Sequence, residues 1–392
     1  MLDFSFQVPT QVYFGLEADK EVGKYIKEFG GSKVLIHYGS HFSKKSGLVD
    51  RIIGYLKSEK LEVVELGGVL PNPRLGLVRQ GIEICRKEKV DFILAVGGGS
   101  VIDSAKGIAL GVPYDGDVWD FYSGKQLVEK LLPLGSIVTL PATGSEVAVG
   151  SVVTNEEGMQ KVPLNHPKIR PQFAILNPRL TLSIPPYQTA CGIADIMAHV
   201  MENYFSNVEN TDFTDRLCEA CLKTMIHNGR VVAKQPEDLA ARSEIMWVAS
   251  VAQAGLLNTG RQGDWASHDI ENELSAVYDA PHGGGLAVVF PGWMKYVYRH
   301  NLKVFVRFAT RVWGVDPSVF EDDDAVAREG IRRLSEFFAE IGLPSTLEGL
   351  RVPVDRLDEI AQRVTKGGTI GNFVKLSEQD VLNIYHSLCE TR

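Results

Sequence analysis

The amino-acid sequence predicts a two-domain chain, with an α/β domain built on a mostly parallel sheet followed by an all-α domain. The first half of the 392 residues alternates short apolar runs with helix-like segments, which is the rhythm of βαβ units. After Pro185-Pro186 long helical periodicities dominate and strand signals are scarce. We therefore place a boundary at about 182–187 and expect domains at 1–184 and 185–392.

The apolar pattern assigns the elements of each half in turn. In the first half we expect strands at 34–36, 61–64, 91–96, 136–140 and 173–176, and helices at 48–58, 75–87 and 101–110. The run 91–96 is continuously apolar, which is typical of a strand buried on both faces. In the second half we expect helices at 189–206, 213–232, 239–254, 265–277, 286–298 and 325–341. The acidic run 321–324 fits a solvated loop or a helix start.

Composition excludes several classes of protein. With 44% hydrophobic and 23% charged residues the chain has the make-up of an ordinary globular protein. A net charge of -8 provides no basic field for nucleic acid. We expect no membrane span, because no run of about 18 apolar residues occurs. The N-terminus lacks the pattern of a secretory signal and the five cysteines are scattered, so we expect a cytoplasmic protein.

A glycine turn stands between a predicted strand and a predicted helix, at Gly97-Gly98-Gly99-Ser100. Glycines let backbone N–H groups approach an anion, and a helix N-terminus adds partial positive charge, so a pyrophosphate could bind there. The segment is neither a G-x-G-x-x-G fingerprint nor a P-loop, and it could be a tight structural turn. In that case Ser100 is merely an N-cap and Asp103 only favours the first helical turn.

Two further polar turns follow predicted strands. Tyr38-Gly39-Ser40 has no acid where a dinucleotide fold often places one for the ribose 2′-OH, and Lys44 and Lys45 lie just beyond. This pattern favours NADP over NAD, unless the turn is an ordinary surface turn with solvated lysines. The segment 139–146, with Thr139, Thr143 and Ser145, could donate to phosphate or ribose or be an ordinary turn.

The helical half contains a constellation with metal-ligand chemistry. Asp195 and His199 are four residues apart and would share one helix face. With His268 and His282 they make a plausible site for one divalent metal ion, with a position open for substrate. Such residues also occur by chance without any ion. Cys218-x-x-Cys221 lies in a helical pattern and favours packing over redox or zinc chemistry. The other histidines are interpreted as structural or surface residues: His37, His41, His166, His227, His300 and His386.

Many ordered motifs together resemble one family. They are Pro9–Gly15, Pro71-Asn72-Pro73, Gly97–Lys106, Thr143–Glu146, Asn177-Pro178, Gly192–Asp195, Glu273–Ala276, His282-Gly283 and Phe290–Tyr296. Across nearly the whole chain the sequence is similar to the iron-containing (group III) alcohol dehydrogenases, especially the butanol dehydrogenase branch. That resemblance implies an N-terminal Rossmann-like domain and a C-terminal helical domain, as in dehydroquinate synthase-like architectures, with the active site in the cleft between them.

The resemblance also implies roles for residues. Asp195, His199, His268 and His282 would hold one divalent ion, Fe²⁺ by preference or else Zn²⁺. The coenzyme contacts would come from Tyr38, Gly39, Ser40, Gly97, Gly98, Gly99, Ser100, Asp103, Thr139, Thr143, Ser145, Lys161 and Leu180. Family members commonly dimerise through the edge of the N-terminal sheet, so we expect a homodimer.

One position departs from the family pattern. Relatives usually carry a second histidine four residues after the third ligand, and Asn272 stands there in this chain. That histidine lines the substrate pocket and is credited with relaying protons. An asparagine has no titrating group near neutral pH, so the proton path is expected to differ while the ligand set is not.

The resulting hypothesis is a metal-dependent NAD(P)-linked alcohol dehydrogenase or aldehyde reductase acting on small primary alcohols and aldehydes. Alternatives are a glycerol dehydrogenase-like enzyme, a dehydroquinate synthase-like lyase, and a non-catalytic binding protein. The local motifs match the polyol branch less well. A lyase of that kind needs a basic pocket, and the ligand segments carry few lysines or arginines.

Overall fold

A computed structural model describes residues 1–39, 44, 46–158 and 160–389. The chain divides into an α/β unit, Gln7–Ser183, and a helical unit formed by Met1–Phe6 with Ile184–Arg392. The fold class expected from the sequence, α/β followed by all-α, is confirmed. None of the helices in the described part of the chain combines the length and apolar character that a membrane span requires.

Eight strands lie in the described part of the α/β unit. They are β1 (Gln11–Phe14), β2 (Lys33–Gly39), β3 (Glu62–Val69), β4 (Phe92–Gly97), β5 (Leu134–Val138), β6 (Gly150–Asn155), β7 (Gln160–Asn165) and β8 (Phe173–Leu176). Six of them form a sheet in the order β1-β8-β5-β4-β2-β3, and each neighbouring pair is parallel. All six carboxyl ends therefore meet at one edge of the sheet.

The sheet changes its winding direction between β2 and β4. β3 lies outside β2, whereas the later strands β5 and β8 lie on the other side of β4. A switch point of this kind leaves a crevice outside the carboxyl ends of the two strands, where open α/β sheets bind ligands. The turns after β2 and β4, which sequence analysis singled out, both open at this point.

Five α-helices lie in the described part of the α/β unit. They are α1 (Val22–Glu28), α2 (Leu48–Ser58), α3 (Leu75–Glu88), α4 (Gly99–Gly111) and the single turn α5 (Trp119–Tyr122). In α2, Leu48, Ile52 and Leu56 recur at four-residue spacing and are buried against the sheet core, together with Phe92 of β4. The strand β4 is buried at all six positions, as its continuous apolar run predicts.

The helical unit packs nine helices in its described part. They are α6 (Pro186–Tyr204), α7 (Asp212–Lys234), α8 (Leu239–Gln253), α9 (Ala266–Tyr278), α10 (His282–Val297), α11 (Leu302–Trp313), α12 (Asp323–Glu340), α13 (Leu357–Thr365) and α14 (Glu378–Ser387). One large core joins them, with Trp293, Phe205 and Phe308 fully buried. Asp322 caps α12 by accepting a hydrogen bond from the Ala325 N–H, so the acidic run is a helix start.

Sequence reasoning missed several elements. The sequence pattern predicted no strands for the antiparallel hairpin β6–β7, because β7 carries a proline and alternates only weakly. The sequence pattern also did not predict the helices α1, α5, α11, α13 and α14. The helix α10 begins at His282 rather than 286, because Pro281 provides the entry and the three following glycines remain helical. The first six residues join the helical unit, since the Met1 amino group and the Leu2 N–H donate to the carbonyls of Glu209 and Gly260.

A buried histidine links β2 to α4. His37 is fully buried, and its Nδ1 and Nε2 lie 2.8 Å from the Leu66 carbonyl and 2.9 Å from the Ser104 hydroxyl. Burial lowers the pKa of His37 to about 4, so the folded chain holds a neutral imidazole. The histidine expected to be structural or surface is thus a core residue.

We expect this histidine to make the α/β unit acid-sensitive. The unfolded chain takes up a proton near pH 6.5 and the folded chain only near pH 4, so the stabilisation is complete above the unfolded pKa and is lost as pH falls through this window. The loss should reach roughly 3 kcal/mol. Urea unfolding between pH 7.5 and 4.5 should show a smaller pH slope for His37→Asn than for wild type. His227→Gln, at an exposed position, should keep the wild-type slope; equal slopes in all three proteins would contradict the assignment.

Candidate functional site

The glycine turn lies at the switch point of the sheet. Gly97 ends β4, Gly98 precedes α4, and Gly99 is its first residue. A Cβ on Gly99 would collide with the Thr143 side chain, so only glycine lets the helix start pack so closely. The interpretation of Ser100 as an N-cap is wrong, because Ser100 lies inside the first turn and Gly98 is the cap. The first-turn N–H groups are suited to an anion.

The end of β2 lies beside this turn. Tyr38 pairs with Val96, so the Tyr38-Gly39 turn and the glycine turn are neighbours at the carboxyl edge. Ser40, His41 and Lys45, singled out from the sequence, lie outside the described residues. The Lys44 ammonium contacts the Glu65 carboxylate and lies 3.3 Å from Asp50, and the Tyr38 hydroxyl donates to Glu65 at 3.2 Å. The cation expected near a 2′-phosphate therefore has two carboxylate partners.

Asp103 and Lys106 are two buried charged residues of α4 that meet at the Ser145 hydroxyl. Its carboxylate accepts hydrogen bonds from the Ser145 hydroxyl at 2.5 Å and from the Val152 N–H at 3.0 Å. Fully buried Lys106, one turn later, donates to Ser145 Oγ and to the carbonyls of Ser145, Ala148 and Gly150. Burial raises the pKa of Asp103 and lowers that of Lys106 to about 8, against the attraction between them. The pair ties the segment 145–152 to the helix that starts at the glycine turn.

The remaining predicted coenzyme residues follow the strands of the same edge. Thr139 comes directly after β5, and its N–H donates to the Gly97 carbonyl. The Thr143 hydroxyl accepts from the Ser145 N–H. Lys161 lies on β7, where its positive charge opposes the burial that raises the pKa of Asp103. Leu180 follows β8 and packs on the sheet core. Direct coenzyme contact by these residues stays a prediction.

Three helices bring the predicted metal ligands together. Asp195 and His199 lie on one face of α6, His268 lies in the first turn of α9, and His282 is the first residue of α10. The Asp195 Oδ1 lies 3.5 Å from Nε2 of His199, 3.9 Å from Nε2 of His268 and 3.7 Å from Nε2 of His282. The potential ligand atoms of Asp195, His268 and His282 all lie within 4.8 Å of one another.

These separations fit a shared ion better than hydrogen bonds. They exceed hydrogen-bond length, and no hydrogen-bond partner among the described residues reaches Asp195 Oδ1 although that atom is buried. Ligand atoms about 2.1 Å from one tetrahedral ion lie roughly 3.4 Å apart, close to the observed values. Burial lowers the pKa of His199 to about 3, which keeps that imidazole neutral and its lone pair available. The residues therefore fit a divalent cation.

Two buried glutamates that sequence reasoning missed stand behind the histidines. Glu202 accepts from His268 Nδ1 at 2.8 Å, and Glu271 accepts from His282 Nδ1. Both carboxylates are fully buried, and burial raises the pKa of Glu202 to about 8. The sequence contained a signal for them, because Glu202 follows Asp195 by seven residues and Glu271 follows His268 by three, which are same-face spacings on a helix.

Glycines allow the helices to approach closely at this site. A Cβ on Gly283 would collide with the backbone of Cys191 on α6, and one on Gly285 would come within 2.5 Å of Glu271 Oε1. The glycines after His282 therefore allow the start of α10 to pack against α6 and α9. Asn272 lies one turn after His268 on α9 and is half-buried.

Comparison with known proteins identifies relatives along the whole chain. Residues 9–178 match the family model for iron-containing alcohol dehydrogenase, and residues 189–389 match the C-terminal model of the Fe-containing alcohol dehydrogenase family. The NADH-dependent butanol dehydrogenase A of Clostridium acetobutylicum is 42% identical over 388 residues, which is 98% of this chain and 99% of that protein. The NADPH-dependent aldehyde reductase of Escherichia coli is 31% identical over 371 residues, 94% of each protein.

Solved structures give the same result. The crystal structure of NADH-dependent butanol dehydrogenase A from Thermotoga maritima superimposes with a TM-score of 0.95 at 36% identity, covering 100% of this chain and 99% of that one. A structure of the Escherichia coli aldehyde reductase superimposes with a TM-score of 0.93 at 30% identity, with 99% of each chain covered.

Removing the buried lysine should destabilise the α/β unit. Lys106→Met removes the buried charge that attracts the Asp103 carboxylate and the hydrogen bonds to Ser145, Ala148 and Gly150, which should cost about 3–5 kcal/mol. Urea unfolding at pH 7 measures the change. Lys125→Met removes a lysine whose side chain is 71% exposed and 3.9 Å from Asp120, and should change stability by at most about 0.5 kcal/mol. Equal effects of the two substitutions would show that the Lys106 pair is not stabilising.

Proposed function

The chain belongs to the iron-containing alcohol dehydrogenase family and is an NAD(P)-dependent alcohol dehydrogenase or aldehyde reductase, and on that premise we propose that it interconverts small primary alcohols and aldehydes of the butanol and butanal type. Butanol dehydrogenases from two bacterial genera, each 40–43% identical over 98% of the chain, support this substrate class.

One divalent ion per chain would be held by Asp195, His199, His268 and His282. The observation that carries this proposal is the buried Asp195 Oδ1, which three imidazole nitrogens surround at 3.5–3.9 Å. One carboxylate and three imidazoles suit both Fe²⁺ and Zn²⁺. The family name and the resemblance favour Fe²⁺.

The protein's residues hold and orient the reaction components. When bound, the ion supplies Lewis-acid polarisation of a carbonyl oxygen and the nicotinamide supplies the hydride. The Gly97–Ser100 turn would bind the pyrophosphate through backbone N–H groups, and the Asp103–Lys106 pair fixes the segment that carries Ser145. Asn272 occupies a half-buried position one helical turn from His268 and offers an amide that holds its protons across the neutral range.

Replacing one ligand should abolish metal binding and turnover together. His268→Ala removes a nitrogen from the site, so we expect most of the metal and nearly all activity to be lost. Metal content is measured by elemental analysis and activity by absorbance at 340 nm with NADPH and butanal. His227→Ala, at an exposed position on α7, should retain both. Full turnover in metal-free His268→Ala protein would exclude the proposed site.

We propose that NADPH is the preferred coenzyme. The turn after β2 has no carboxylate at Tyr38 or Gly39 to repel a 2′-phosphate, and Lys44 supplies a cation nearby. Glu65 and Asp50 partly neutralise that cation. The relatives use both coenzymes, four butanol dehydrogenases being named NADH-dependent and the aldehyde reductase NADPH-dependent. The preference therefore depends on the balance of charge at Lys44.

Substitutions on either side of that balance should move the preference in opposite directions. Lys44→Met should lower the ratio of kcat/KM with NADPH to that with NADH by about tenfold, the low end for a charge-assisted contact, because Lys44 is exposed and already paired. Glu65→Gln should raise the same ratio, and higher salt should shrink both effects. Lys27→Met, at a similarly exposed ion pair with Glu59, should leave the ratio unchanged. A wild-type preference for NADH would contradict the proposal.

We also propose a homodimer located in the cytoplasm. The edge strand β1 carries Phe14 at 45% exposure, which supports pairing at this edge of the sheet. The N-terminal segment alternates apolar Leu2, Phe4 and Phe6, each about half exposed. All five cysteines are free thiols, which suits a reducing compartment.

A further inference from the structure

The histidines in the first turns of α9 and α10 each contact a glutamate that is not one of the proposed metal ligands. In each, Nε2 faces Asp195 and Nδ1 faces a fully buried glutamate, Glu202 for His268 and Glu271 for His282. Both Glu202 oxygens accept from backbone N–H groups and Glu271 accepts from the Ser275 hydroxyl, so the glutamates act as acceptors and each Nδ1 carries the proton. Each Nε2 then presents a lone pair toward Asp195.

Both glutamates are fixed by further contacts. Glu202 accepts from the Trp265 N–H at 2.6 Å and from the His268 N–H at 3.1 Å, which also secures the first turn of α9. Glu271 accepts from the Ser275 hydroxyl, and the missing Cβ of Gly285 leaves room for its carboxylate. These contacts fix each carboxylate beside the imidazole that it accepts from.

His199 provides an internal contrast. Its Nδ1 is buried and has no hydrogen-bond partner among the described residues. Its orientation comes from α6 and from its ring, which stacks on His268 with centroids 4.8 Å apart. Among the described residues, a carboxylate contacts Nδ1 of His268 and of His282, which come from helices other than the one that carries Asp195, but not Nδ1 of His199.

We propose that Glu202 and Glu271 are positioning residues that set the metal affinity of this site, an inference that rests on the metal site of the proposed function. Each fixes the tautomer and ring orientation of one ligand and strengthens its nitrogen as a donor. Neither glutamate touches substrate or coenzyme in this role.

The test measures metal binding directly. Metal-free wild-type, Glu202→Gln and Glu271→Gln proteins are titrated with Zn²⁺ in competition with a chelating dye, at fixed pH. Glutamine keeps the shape of the side chain but its amide is a weaker acceptor for the Nδ1 proton than a carboxylate, so each variant should bind one ion with a Kd raised about tenfold to a hundredfold. Glu219→Gln is the matched control, because Glu219 is buried on α7 and contacts Tyr204 and Arg311 rather than a ligand. Its Kd should equal that of wild type.

A second measurement separates positioning from general destabilisation. Co²⁺-loaded Glu271→Gln and Glu202→Gln proteins should show visible absorption bands displaced from those of wild type, whereas Glu219→Gln should not. Thermal unfolding of the metal-free proteins verifies that each variant is folded, and either glutamate variant alone carries the test. Folded variants with wild-type Kd and wild-type Co²⁺ bands would overturn the inference. Failure of the wild-type protein itself to bind one ion per chain would instead refute the proposed metal site.

Discussion

The packing of α6, α9 and α10 brings three imidazoles around one buried carboxylate, that of Asp195. α6 carries it at mid-length, in a stretch where every residue from Gly192 to Tyr204 is buried. His268 and His282 reach it from the starts of two other helices, which must therefore end their approach within a side chain's length of α6. Gly283 permits this contact, because any larger residue would meet the backbone at Cys191.

The α/β unit uses buried charge in a different way. Asp103 and Lys106 stand one turn apart on α4 and attract each other, while the lysine also donates to the carbonyls of Ser145 and Ala148, in the irregular segment before β6, and of Gly150 at the start of β6. A segment of this kind is prone to local opening unless it is tied down. Here hydrogen bonds from Lys106 connect the segment 145–150 to α4, whose N-terminus lies at the switch point. The segment and the glycine turn are therefore fixed to the same helix.

The sequence predicted the fold class and nearly every long helix, because those depend on apolar periodicity that one can count. The hairpin β6–β7 was not predicted, because β7 carries a proline and alternates only weakly. The other strand, β6, donates hydrogen bonds to Asp103, and no apolar pattern shows such contacts. Glu202 and Glu271 escaped because their burial depends on helices far apart in sequence, and a glutamate in a helix is ordinarily solvent-exposed. The contact between Lys44 and Glu65 also could not be predicted, because the two residues are far apart in the sequence and Glu65 lies on β3.

The two units also differ in what compensates their buried charge. Asp103 has its cation in the chain, whereas the ion pairs of Asp195 and Glu202 among the described residues are with histidines alone. Burial holds His199 neutral, so it supplies no positive charge. An uncompensated carboxylate in such a place is costly to the folded state. A divalent cation would remove that cost, and any ligand that binds only the folded chain stabilises it. An ion held at the proposed site would therefore also be a counter-charge for the helical unit, and its binding would stabilise the fold around it.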